Sequence, residues 1–189
     1  MTPPEPPRRR AGIPRQRKRT ALIVIDAERT ETAYLKGLRD HFTAMAVNIV
    51  EKPGAPDQLV KHTRQLAARA DYDEVWCMTD VDHYEREGGK VTAALAVAKK
   101  SGINVAVSDP CFELWLLLHH EECTAHCADC GAVERKLRKR LSAYDKARLS
   151  FRDFAGGLDR AIERARKLEP GRNPSTGVWR LVNAVLERE

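Results

Sequence analysis

The feature that most constrains this chain is the regular alternation of short apolar runs with amphipathic stretches. Thr20–Ile25 reads Thr-Ala-Leu-Ile-Val-Ile, a continuous run of β-branched character without polar alternation, as in a strand buried on both faces. It ends at Asp26, after which Thr30 can cap a helix running to about Phe42. Residues 46–50 read as a second strand, Pro53-Gly54 breaks it, and Pro56 can open a helix that turns Leu59, Val60, Leu66 and Ala67 inward. A third strand over 74–79 delivers Asp80 and Asp82, and the polar stretch His83 to Lys90, broken by Gly88-Gly89, is a loop. A helix over 91–100 leads through Gly102 to a fourth strand at 103–107. Asp109-Pro110 then turns the chain into a helix carrying Glu113 and Trp115, with the proline suited to its first turn.

Strand and helix in alternation predict an α/β fold with a mainly parallel sheet of about four strands, right-handed crossovers and helices on both faces. The C-terminal third reads as helical, with candidates at 133–141, 151–168 and 176–186. The last is entered through Arg172-Asn173-Pro174-Ser175-Thr176, a turn-and-cap signal.

A chain of 189 residues suits one core of ordinary size, so a single domain over 20–189 is expected. The net charge of +6 is not spread along it: residues 1–19 carry Arg8, Arg9, Arg10, Arg15, Arg17, Lys18 and Arg19 against Glu5, which leaves the rest formally neutral. That proline-rich tail lacks an apolar run to pack and is expected to be disordered, either a solvated tail or a flexible arm for phosphates. No window approaches the roughly 18 apolar residues of a membrane helix, and no apolar h-region follows the basic residues. The expectation is a soluble cytoplasmic protein with no membrane partner and with reduced thiols.

Acidic side chains fall where predicted strands end, which in an open α/β sheet is where ligands and metals are bound. Asp80 and Asp82 leave the same face if the strand persists through both. Two carboxylates held side by side repel unless a cation lies between them. Asp26 can complete an oxygen-rich cage of the kind that Mg²⁺ or Mn²⁺ prefers. Glu31 and Glu113 read either as members of this site or as first-turn acids complementing a helix dipole. Arg29 is a candidate for holding a phosphate, and His83 for acid/base chemistry or solvation.

Three of the five cysteines cluster at Cys123, Cys127 and Cys130, among His119, His120 and His126. Thiolates at spacings of four and three with an imidazole suit a closed, structural Zn²⁺ site, with His119 a candidate fourth ligand, pinning an insertion over 119–131. The alternative is a loop of unpaired thiols. Cys77 and Cys111 lie in apolar surroundings and are expected in the core. No Gly-rich phosphate loop is present, so the chain is not expected to hydrolyse ATP.

Ile-Val-Ile-Asp26-Ala27-Glu28-Arg29-Thr30-Glu31-Thr-Ala-Tyr34-Leu35, Asp80-Val-Asp82-His83 and Ser108-Asp-Pro-Cys-Phe-Glu113-Leu-Trp-Leu-Leu-Leu-His119 resemble, in order, three motifs of the RloB-like family. Asn173-Pro174-Ser175-Thr176 resembles its C-terminal motif, and the resemblance spans about residues 20–186. That family is similar to Toprim-fold proteins and its genes accompany restriction-modification and abortive-infection loci, sometimes beside a large ATPase. The resemblance therefore implies a bacterial antiphage protein with a metal-dependent nuclease site. Asp26, Asp80 and Asp82 would be ligands, Glu31 and Glu113 further ligands or water-positioning groups, and an ATPase a possible partner. Where the family pattern reads Glu-Gly, this chain has Asp26-Ala27, which retracts the carboxylate by one methylene and removes glycine's close approach to a phosphate. The alternative implied function is a catalytically silent subunit that binds nucleic acid or regulates a system of this kind. DNA and RNA are equally compatible with the sequence.

Overall fold

In a computed structural model of the chain, residues 17–26, 29–42, 45–81 and 90–188 are described. Strand β1 (Thr20–Ile25) is flanked by β2 (Ala46–Glu51) and β3 (Glu74–Asp80), both parallel to it. Strand β4 (Asn104–Asp109) extends the sheet in parallel beyond β3, and a two-residue β5 (Ser175–Thr176) pairs antiparallel with β4. The order is β2-β1-β3-β4-β5, so the chain reverses its direction of winding between β1 and β3. Crevices outside the carboxyl ends of strands open at such switch points. The α/β class with a mostly parallel sheet is as the alternation predicted.

The helices are α1 (Arg29–Phe42), α2 (Pro56–Ala67), α3 (Lys90–Lys100), α4 (Glu113–Leu118), α5 (Cys130–Arg140), α6 (Arg152–Ala155), α7 (Leu158–Arg166) and α8 (Val178–Val185). Strand alternation divides the core between two faces of the sheet. Leu22, Val24 and Cys77 pack with Leu59 and Val60 of α2 and Ala94 and Ala98 of α3. On the other face Ile23, Ile25, Trp76, Met78 and Ala106 pack against α1, α4 and the C-terminal helices. This two-sided burial explains why β1 carries no polar residue after Thr20, each large side chain contributing about 1.5–3 kcal/mol. Pro56 opens α2 as expected.

Four local expectations are corrected. Thr30 lies inside α1 and is buried, so it does not cap that helix. The stretch 151–168 divides into α6 and α7 at Gly156-Gly157, where a Cβ on Gly157 would meet the His119 carbonyl oxygen at 2.5 Å. Ser175–Thr176 is a strand, so the final helix starts at Val178. β4 runs to Asp109, a cis Asp109–Pro110 peptide follows, and α4 starts only at Glu113, leaving Pro110 outside it.

The expected disorder of the basic tail falls on residues 1–16, outside the described residues, as do Ala27, Glu28, Asp82 and His83. At the end of that tail Arg17 pairs with Asp73, and Arg19 with Glu74 and Glu187. Among the described residues no helix is long and apolar enough to cross a membrane.

Candidate active site

The carboxyl ends of β1 and β3 bring the predicted acids into one neighbourhood. Asp26 follows β1 directly: its backbone N–H donates to the Met78 carbonyl (3.3 Å) and its Oδ2 accepts from the Thr79 hydroxyl (3.2 Å). Asp80 closes β3, and its Oδ2 accepts the Phe112 backbone N–H at 3.1 Å. The turn between β4 and α4 thus fixes the orientation of the carboxylate, because Ser108 pairs with Asp80 across the sheet. Glu31, in the first turn of α1, and Glu113, the first residue of α4, are both buried.

Burial pushes the Asp80 carboxyl well above the ordinary carboxylate range. The negative charge of Glu31 adds to this, the Phe112 N–H opposes it, and Glu113 and Asp26 raise it further. A carboxylate in that position is short of positive charge. Among the described residues the Thr30 hydroxyl, one residue from Glu31, is buried with no hydrogen-bond partner. The charges of Asp26, Glu31 and Glu113 thus all act on Asp80, and oxygen donors of this kind are the ones that hard divalent cations take.

Glu113 has an ammonium beside it. Lys146 Nζ lies 2.7 Å from its Oε1 and also 2.8 Å from Glu134 Oε1. The Tyr144 hydroxyl donates to the same Oε1 at 3.5 Å, and Cys130 Sγ lies 3.1 Å from Oε2. Burial, then the Glu113 charge, pushes the Tyr144 phenol above its ordinary range, which keeps it a donor. Sequence reasoning did not single out Lys146, Tyr144 or Glu134: they lie beyond the motifs, in stretches that read as ordinary helix and loop. Glu51, at the end of β2, was also missed; it accepts from the Thr32 hydroxyl at 2.6 Å. Arg29 is exposed on α1, while Asp82 and His83 are not described.

The predicted zinc set is not assembled. Cys130 Sγ is bonded to Cys111 in a disulfide, so neither is a simple free thiol. The reason lies in local structure: Asp129 caps α5 by accepting the Ala132 N–H at 2.7 Å, which makes Cys130 the first helical residue instead of part of a knuckle. His119 has both ring nitrogens engaged in the core. Nδ1 donates to the Phe154 carbonyl (2.8 Å) and Nε2 accepts the Tyr34 hydroxyl (3.1 Å). Cys123 and Cys127 remain free, their sulfurs 3.5 Å apart, with Lys136 Nζ 3.4 Å from Cys123. Burial, and after it Cys123, pushes the Cys127 thiol up to about 11. Among the described residues, Cys111, Glu113 and Cys130 bring ligand atoms within 4.8 Å of one another, a group able to hold a metal once its sulfurs are thiolates.

Asn173 links these parts. Its Nδ2 donates to Asp109 Oδ1 (2.7 Å) and to the Cys127 carbonyl (3.0 Å), while its Oδ1 accepts the Cys127 N–H (2.7 Å). The element read as a turn signal therefore braces the cysteine loop against the end of β4.

A family model described as RloB-like protein matches residues 21–185. No match is found among curated proteins or among solved structures.

Proposed function

The chain belongs to the RloB-like family, and from that premise we propose that it is a metal-dependent phosphodiesterase, a nuclease of Toprim-like kind acting in bacterial defence against phage. The observation that carries the reading is Asp80, held at a strand end by the Phe112 N–H and driven toward protonation by burial and by Glu31, Glu113 and Asp26. Such a site gains from a cation and loses without one. Mg²⁺ or Mn²⁺, when bound, supplies Lewis acidity toward a phosphodiester and lowers the pKa of water.

Asp80 and Asp26 would hold that ion, with Glu31 as the third oxygen donor. Phe112 keeps one Asp80 oxygen occupied, so the other is presented for binding. Glu113 acts behind them: Lys146 and Tyr144 fix its orientation, and its charge reaches Asp80 through space. Arg29, exposed at the start of the described part of α1, would contact a substrate phosphate.

The test is cleavage of labelled single- and double-stranded DNA and RNA with Mg²⁺ or Mn²⁺, against EDTA and Asp80→Asn. Cutting that both controls abolish supports the reading and identifies the substrate. The second reading, a silent nucleic-acid-binding or regulatory subunit, is favoured by Asp26-Ala27, where the shorter carboxylate sits further from any shared ligand. It predicts salt-sensitive binding without cutting, also when an ATPase partner is added.

A further inference from the structure

A cavity of about 320 Å³ opens at the β4 edge of the sheet, apart from the carboxylates but one residue from them along the chain. Val105 and Val107, alternate residues of β4, form its floor, and Leu95 of α3 forms one wall. The opposite wall is Trp179 with Arg166 and Arg180, brought together where α7 ends and α8 begins. The Arg166 guanidinium lies over the Trp179 ring, 5.0 Å from its centroid. Val81, which follows Asp80, and Asp109, which follows its cross-strand partner Ser108, also line the space.

An apolar slot with one half-buried aromatic face and two guanidiniums at its side has two chemistries to offer. The flat wall of Trp179 against valine and leucine suits a planar heterocycle, and the guanidiniums suit a phosphate by bidentate hydrogen bonds. Leu95 remains 39% exposed, as a wall awaiting cover would be. The volume lies at the small end of ligand cavities, enough for a single nucleotide unit and too little for a duplex. We propose that this cavity binds one nucleotide, its base stacked on Trp179 and its phosphate on Arg166 and Arg180. The unit can be a free mononucleotide or the end of a polynucleotide strand; the recognising chemistry is the same. Binding here requires no cleavage at Asp80.

The experiment is isothermal titration of the full-length protein in EDTA, so that nothing is cut and a failed nuclease reading leaves the result intact. Ligands are AMP, GMP, CMP and UMP, a 5′-phosphorylated tetranucleotide, and adenosine and inorganic phosphate as partial ligands. At least one nucleotide should saturate a single site, with adenosine and phosphate weaker by about tenfold or more. Arg166→Gln and Arg180→Gln should each weaken binding by roughly tenfold; both side chains are exposed, so thermal melts should show the fold retained, with Arg166→Gln losing only the contact with Trp179. Tighter binding of the tetranucleotide assigns the site to a strand end, and preference for a mononucleotide assigns it to a free ligand. Absence of saturable binding by every nucleotide overturns the proposal. So does unchanged affinity in the Arg166→Gln/Arg180→Gln double variant.

Discussion

Lys146 Nζ contacts Glu113 Oε1 at 2.7 Å and Glu134 Oε1 at 2.8 Å, so one partly exposed ammonium joins a buried carboxylate to a half-buried one. Breaking a buried pair from one side costs more than the pair contributes, because the remaining charge stays desolvated. With Lys146 35% exposed, Lys146→Met is expected to destabilise by about 1–3 kcal/mol in urea denaturation. Glu113→Gln in the Lys146→Met background should recover a large part of that loss, and simple additivity of the two changes would contradict the pairing.

Asp80 makes the opposite prediction. Its folded-state pKa is raised, so the folded protein binds this proton more tightly than the unfolded chain does. Its contribution to stability is then present at low pH and declines as pH rises from about 4 through the raised value. Asp80→Asn should therefore stabilise the protein at pH 7 in EDTA, by roughly 1–2 kcal/mol. Mn²⁺ should raise the melting temperature of wild type and leave that of the variant in place. A variant less stable than wild type under EDTA would contradict the repulsion.

His119 governs the acid side. Burial pushes its imidazole down to about 3, so it stays neutral in the folded core while the unfolded chain takes up a proton near 6.5. The resulting stability is complete above about 6.5 and is lost as pH falls toward 3, by at most about 4–5 kcal/mol. Denaturation at pH 7.5 and pH 5 should show this loss, and His119→Asn should flatten it. Tyr34→Phe removes the hydroxyl that donates to Nε2 and is expected to cost about 1–2 kcal/mol with the fold retained.

Thiol counting separates the two accounts of the cysteines. With Cys111 and Cys130 joined, the unfolded and unreduced chain should yield the three free thiols of Cys77, Cys123 and Cys127, and five after reduction. Because the bridge closes a sequence separation of 19, reducing it is expected to lower stability by about 3 kcal/mol. Five reactive thiols before reduction would show that the bridge is open in the isolated protein.

The sheet was legible where side chains alone decide structure. β1 and β3 are runs whose burial on both faces demands apolar residues, and Pro56 marks a helix start by its fixed φ and missing N–H. Elements set by distant partners were not legible. Ser175–Thr176 becomes a strand because β4 offers it an edge, and Gly157 divides a helix because His119 packs against it. The cysteine cluster was legible only in part for the same reason: neighbours in sequence suggested one metal held by Cys123, Cys127 and Cys130, but Asp129 starts a helix, Cys130 meets Cys111, and the group able to hold a metal is Cys111, Glu113 and Cys130. At the candidate site, acids at strand ends were visible from the motif order. Lys146 and Tyr144 were not, since only folding brings them to Glu113.

Synthesis imposes an order on this architecture. β4 leaves the ribosome with one side unpaired and keeps it so until Ser175–Thr176 arrive and Asn173 reaches Asp109 and Cys127. A nascent or truncated chain lacking those residues offers a bare strand edge to its neighbours, the usual route to edge-to-edge aggregation. Ser175–Thr176 thus guard a strand made some seventy residues earlier, as the 68-residue gap between Ser108 and Thr176 requires.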